Sequence, residues 1–69
     1  MASSEAQAQD ALEALVDRWG LSGVLALLAD VCNAKAEHVR ENWQDESTAK
    51  SWEQDADTIM ETSEEVENA

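Results

Sequence analysis

Leu15-Val16-Asp17-Arg18-Trp19-Gly20-Leu21-Ser22-Gly23-Val24-Leu25 is the stretch on which the fold turns. Upstream of Gly20, the residues Ala8, Leu12, Leu15, Val16 and Trp19 recur at helical spacing and form one apolar stripe. Gly20 suits the left-handed position just past a helix C-terminus, where a Cβ would be penalised. In such an ending Leu21 meets Val16, and Ser22 follows as an N-cap. The stretch therefore predicts a stop and a restart. One helix is expected over about residues 5–19, with Ser4 and Gln7 at capping-box spacing, and a second over about residues 22–43.

Downstream, Leu21, Val24, Leu25, Leu28, Val31, Cys32, Val39 and Trp43 fall on one arc at ~100° per residue. Leu27 and Ala34 widen that arc, as a helix touching two neighbours requires. Gln44 to Ser47 reads as a break with Asp45 or Ser47 as the next N-cap. A third helix is expected over about residues 46–62, burying Ala49, Trp52, Ala56, Ile59 and Met60. Residues 63–69 are acidic and nearly without apolar side chains, so a frayed tail is expected. The whole, residues 1–69, reads as a single all-α domain. It is either a small three-helix bundle or a long helical hairpin with a packed N-terminal helix, in both cases with an acidic frayed C-terminus.

Composition agrees. The 69 residues include no Pro, two Gly and 43% hydrophobic residues, which removes the usual punctuation of β-hairpins and leaves enough apolar surface to fold. Three Trp stand in a chain without Phe or Tyr, so the indoles are expected to supply much of the core. Residues 1–10 lack the basic and apolar regions of a secretory signal, and the longest apolar run, Val24 to Ala29, is too short to span a bilayer. The single cysteine, Cys32, reads as a buried thiol in a reducing, cytoplasmic setting.

Catalysis finds little support. Cys32 and the single histidine, His38, are six positions apart on one helix and point in different directions, so they form no nucleophile–base pair there. No second His or Cys exists to build a zinc site, and no calcium-loop or phosphate-loop pattern is present. The sequence reads as non-enzymatic, with no cofactor and no metal.

Charge is the dominant feature. Sixteen acidic residues face four basic ones, a formal net charge of −12. Such a chain is repelled by nucleic acid and by anionic membranes, so neither is an expected direct partner. Glu46, Glu53, Asp57, Glu61 and Glu64 lie within about 80° of one another on the third helix, interrupted by Lys50. Asp30, Glu37 and Glu41 lie opposite the apolar arc of the second. Residues four apart are ~6 Å apart along the axis, comparable to the spacing of charges along a nucleic-acid strand. Rows of carboxylates at that spacing imitate a phosphate backbone. The basic residues Arg18, Lys35, Arg40 and Lys50 are expected to make intrahelical ion pairs, such as Glu37 with Arg40.

The segments Leu15-Val16-Asp17-Arg18-Trp19-Gly20-Leu21, Val24-Leu25, Cys32 with Lys35-Ala36-Glu37-His38, Asn42-Trp43-Gln44-Asp45 and Ala49-Lys50-Ser51-Trp52-Glu53 carry a resemblance. Over about residues 12 to 60 the chain resembles a family of short uncharacterised proteins of phages, plasmids and bacteria. That resemblance implies no activity and carries no functional residues across. In size, acidity and lack of catalytic groups, though without a shared motif, the chain is also similar to phage-encoded inhibitors of host defence, including anti-CRISPR proteins.

Two functions are therefore expected in competition. The first is an acidic nucleic-acid mimic that binds and inhibits a positively charged, nucleic-acid-binding protein or complex. The second is a structural helical module that homodimerises or joins a larger assembly through Leu27, Val31, Ala34 and His38.

Overall fold

The computed structural model describes residues 2–68, with side chains from Ser4 onward. It is all-helical and has two helices among the described residues, α1 (Ala2–Trp43) and α2 (Glu46–Glu65). The second half of α1 and the whole of α2 form an antiparallel hairpin. The connection is the pair Gln44-Asp45, with Gln44 at a left-handed φ of 51°. Asp45 caps α2: its carboxylate accepts from the Thr48 N–H at 3.1 Å and from the Thr48 hydroxyl at 2.8 Å.

The seam of the hairpin follows a heptad rhythm. Leu25, Ala29, Cys32, Ala36 and Val39 on α1 step alternately by four and three, as do Ala49, Trp52, Ala56, Ile59, Ser63 and Val66 on α2. All are buried or half-buried. The most deeply buried are the smallest, with Ala29, Ala36, Ala49 and Ala56 at 0–1% exposure. Alanine at facing positions lets two helix backbones approach closely, and Trp52 and Ile59 close the sides around Ala29, Cys32 and Ala56. Cys32 is a buried free thiol within this seam.

The expected three-helix bundle is corrected here. Gly20 takes φ 76° and ψ 163°, and the helix continues on both sides of it. This is a conformation open essentially to glycine alone, and its ψ is extended, so the backbone kinks without making the left-handed ending. Gly23 permits the tight geometry beyond the kink, since a Cβ there would stand 3.1 Å from the Cβ of Trp19. Helical structure begins at Ala2, ahead of the Ser4–Gln7 box, because the surrounding Ala, Gln and Glu favour extension of the helix.

The segment before Gly20 is an arm, not a packed helix. Leu12, Leu15 and Trp19 are 48%, 40% and 51% exposed, which corrects their assignment to the core. The molecule measures 37 × 32 × 15 Å. Two packed helices are only ~20 Å across, so the second dimension requires the arm to project sideways. On α1, Leu28 and Trp43 are also exposed, as is Met60 on α2. Leu28 lies to one side of the seam, Met60 to the other, and Trp43 sits at the last position of α1, beside the turn.

The C-terminal end also departs from expectation. α2 runs on to Glu65, and its Val66 N–H still donates to the Thr62 carbonyl. Asn68 then accepts a hydrogen bond from the Ser22 N–H at 3.0 Å. Ser22 lies two residues past the kink, where that N–H is left without a helical acceptor. It serves as a docking point for the end of the chain, where an N-cap had been expected.

Candidate functional site

Arg40 defines one side of the hairpin. Its Nε and Nη2 donate to the two carboxylate oxygens of Glu46 at 2.9 Å, and Nη1 and Nη2 donate to Glu53 at 3.3 Å. A planar guanidinium can serve two carboxylates in this way because its donors form a fork. The hydrogen bond from Arg40 holds the Glu46 carboxyl below its ordinary range, and Glu46 in turn raises the guanidinium. The Thr48 hydroxyl and N–H hold the Asp45 carboxyl low in the same fashion. The expected Glu37–Arg40 pair is not what forms. Arg40 reaches across the seam instead, because two carboxylates at the start of α2 lie on the same flank.

From that bridge the positions of the other acids follow. Moving outward round α1, away from the seam and past Arg40, one meets Asp30, Glu37 and Glu41. Moving outward round α2, past Glu53 and Glu46, one meets Asp57, Glu61 and Glu64. The two rows therefore fall on the Arg40 half of the hairpin, but on the outward backs of their helices, roughly 110–170° round from the seam. All six of these carboxylates are exposed. Among the described residues the ion pairs are those of Arg40 with Glu46 and Glu53. Two of the eight candidate acids are thus tied into the fold, and six point at solvent.

The other flank of α1 is apolar. Val24, Leu27, Leu28 and Val31 fall within about 100° of one another there, and Leu27, Leu28 and Val31 are 41%, 42% and 53% exposed. Ala34 and His38 continue this row and are exposed. The Asn42 side-chain amide donates to the His38 carbonyl at 3.0 Å and lies 3.1 Å from its Nδ1. The candidate face Leu27, Val31, Ala34 and His38 is thus brought together on one exposed side. Val24, by contrast, is buried beside the kink. Trp19 closes the row from the arm, and the Arg18 guanidinium lies 5.5 Å from its ring centroid, a cation–π contact.

The described residues hold no group of three potential metal ligands and no enclosed pocket. None of their helices is long and apolar enough to cross a membrane. Comparison with known proteins yields no match: no family model, no curated protein and no solved structure is similar to this chain.

Two features had different signals in the sequence. An arginine in the last turn of one helix, followed by a short break and a glutamate-initiated helix, is a pattern from which the Arg40 bridge could have been read. The Ser22–Asn68 bond has no counterpart in residue type, since both partners are backbone groups.

Proposed function

We propose that this chain is a non-enzymatic acidic interaction protein that binds and inhibits a basic nucleic-acid-binding protein. Its two rows of carboxylates would stand where phosphates otherwise lie. The observation that carries this reading is the exposure of Asp30, Glu37 and Glu41 in a row on α1 and of Asp57, Glu61 and Glu64 in a row on α2. A double row on a rigid hairpin holds negative charge at fixed spacing, and a groove lined with Lys or Arg would be steered to it from a distance. Phage-encoded inhibitors of host defence, anti-CRISPR proteins among them, are the functional class with which this reading agrees.

The test separates binding charge from structural charge. Asp57→Asn, Glu61→Gln and Glu64→Gln together leave the Arg40 bridge untouched and relieve like-charge repulsion along α2. Helix content and thermal stability are expected to hold or rise. Capture of basic proteins from a host lysate is expected to fall at least tenfold at low salt and to converge with the parent at high salt. A triple variant that captures as well as the parent assigns these carboxylates to solubility.

A second reading has its own observation. The exposed row Leu27, Val31, Ala34 and His38, extended by Leu28, supports a structural module that homodimerises or joins a larger assembly through α1. An exposed apolar row of this kind is what such an interface would use. On α1 the two faces adjoin, Ala34 lying about 20° round the helix from Glu41, so a partner on one face stands beside the other.

A further inference from the structure

We infer that the exposed apolar row of α1 is covered by the N-terminal arm of a second copy of this chain, giving a two-fold, arm-exchanged dimer. The inference rests on the apolar-face reading above and names what occupies that face.

The chain carries both halves of the interface. Leu12, Leu15 and Trp19 recur exposed along one side of the arm, and Leu28 and Val31 stand exposed on the free flank of the hairpin, next to Val24, which its own chain already buries. Laid antiparallel, Leu15 meets Leu28 and Leu12 meets Val31, so the exposed positions of the two rows match in rhythm. The same register sets Ala8 opposite Lys35 and Glu5 opposite His38, about one helical turn farther on. Asp10, Glu13 and Asp17 lie roughly 100–160° round the arm from Leu12 and stay outside the contact.

The arm cannot cover the row in its own chain. Lying antiparallel on its own hairpin would require the backbone to reverse direction between Trp19 and Leu21. Helix–helix reversals take a connection of about two to eight residues, and the Gln44-Asp45 turn supplies two. At Gly20 a single residue departs from helical angles. That kinks the axis and does not reverse it, and the Ser22–Asn68 bond holds the hairpin side of the kink in place. A second copy meets no such constraint.

Area favours the same occupant. At ordinary residue areas, the exposed parts of Leu12, Leu15, Trp19, Leu27, Leu28 and Val31 come to roughly 500 Å² per copy, or on the order of 1,000 Å² for a symmetric pair, which is where specific interfaces begin. The arm needs such a cover, because a free helix of this length is only marginally stable in water. Exchange of identical elements between protomers closes on itself and leaves no open end to polymerise.

The experiment has two parts. Sedimentation of the unmodified chain is expected to give twice the 7.6 kDa monomer mass, with association at least as tight at high salt, which screens two acidic copies. Cross-linking then identifies the contact. Leu15→Cys and Leu28→Cys are made separately, each with Cys32→Ala, mixed, and oxidised with oxidised glutathione. A disulfide-linked dimer is expected from the mixture at ten times or more the yield of either variant alone. Strong cross-linking of Leu28→Cys by itself would show α1 flanks meeting directly, overturning the arm as occupant while leaving the apolar-face reading intact. A monomer in sedimentation, or an intramolecular disulfide in the doubly substituted Leu15→Cys/Leu28→Cys chain, would overturn the dimer altogether.

Discussion

The Ser22 N–H and the Asn68 carbonyl meet at 3.0 Å, joining the backbone just past the kink in α1 to the end of the described chain. The hairpin is thereby closed at both ends, by the Gln44-Asp45 turn and by this bond. A helix that runs unbroken through residue 20 would use the Ser22 N–H internally and leave Asn68 nothing to accept from. Kink and closure are one device.

Gly20→Ala is therefore expected to change shape as well as stability. A β-carbon is strained at φ 76°, and the relief open to it is helical geometry, which straightens α1 into a single rod. Small-angle scattering under conditions where both are monomeric should show a radius of gyration above that of the parent, whose kinked chain measures 14.0 Å, with helical circular dichroism unchanged or increased. An unchanged radius would show that packing, and not the glycine, sets the kink.

Ala56→Leu tests the close seam. Ala56 is 1% exposed at the centre of the hairpin, so added methylenes force the helices apart. A loss of about 2–3 kcal/mol in urea unfolding is expected from the overpacking. The same substitution at exposed Ala34 should cost less than about 0.5 kcal/mol, since surface changes rarely do more.

Trp52→Ala removes the largest side chain packed on the seam. Because Trp52 is half-buried, the expected cost is about 2–3 kcal/mol, below the range for a fully buried indole. Trp43→Ala, by contrast, removes a side chain that is 73% exposed and should leave the unfolding midpoint nearly unchanged. Equal effects would contradict the placement of the two indoles.

Acid titration separates the Arg40 bridge from the bulk charge. The Glu46 carboxyl is held low by the Arg40 hydrogen bond. Its stabilising contribution is thus fully present above the unfolded carboxyl value and is lost as pH falls through the lower folded value. Glu46→Gln keeps the shape and removes the charge. The parent should melt higher than the variant at pH 7, with the difference closing below about pH 4. A gap independent of pH would mean that the carboxylate charge contributes nothing there.

How far the fold could be read from residue types depended on the length of each pattern. The α2 seam of Ala49, Trp52, Ala56 and Ile59 was legible because period and burial agree over several turns. The Asp45 cap was legible because an acid stands three residues before a threonine whose N–H is free. The arm was not, since Leu12, Leu15 and Trp19 spell the same stripe whether the face they cover belongs to their own chain or to another. Gly20 was legible as a break and not as a kink, because positive φ is shared by two conformations that differ only in ψ. The acidic rows were legible singly. Which half of the hairpin each faces emerged only once Arg40 fixed how the two helices are rotated against each other.

The two-residue Gln44-Asp45 turn also sets an order of events. The seam pairs nearest the turn, Val39 and Ala49 among them, close the shortest loops and carry the least entropic cost. Folding should zip outward from residue 44 through Cys32 and Ala56, within the microsecond range of local helical contacts. The bond between Ser22 and Asn68 spans the longest loop in the hairpin and forms last. On a ribosome, residues 2–19 emerge before the hairpin that follows them exists, so the arm is made ahead of the hairpin and positioned after it.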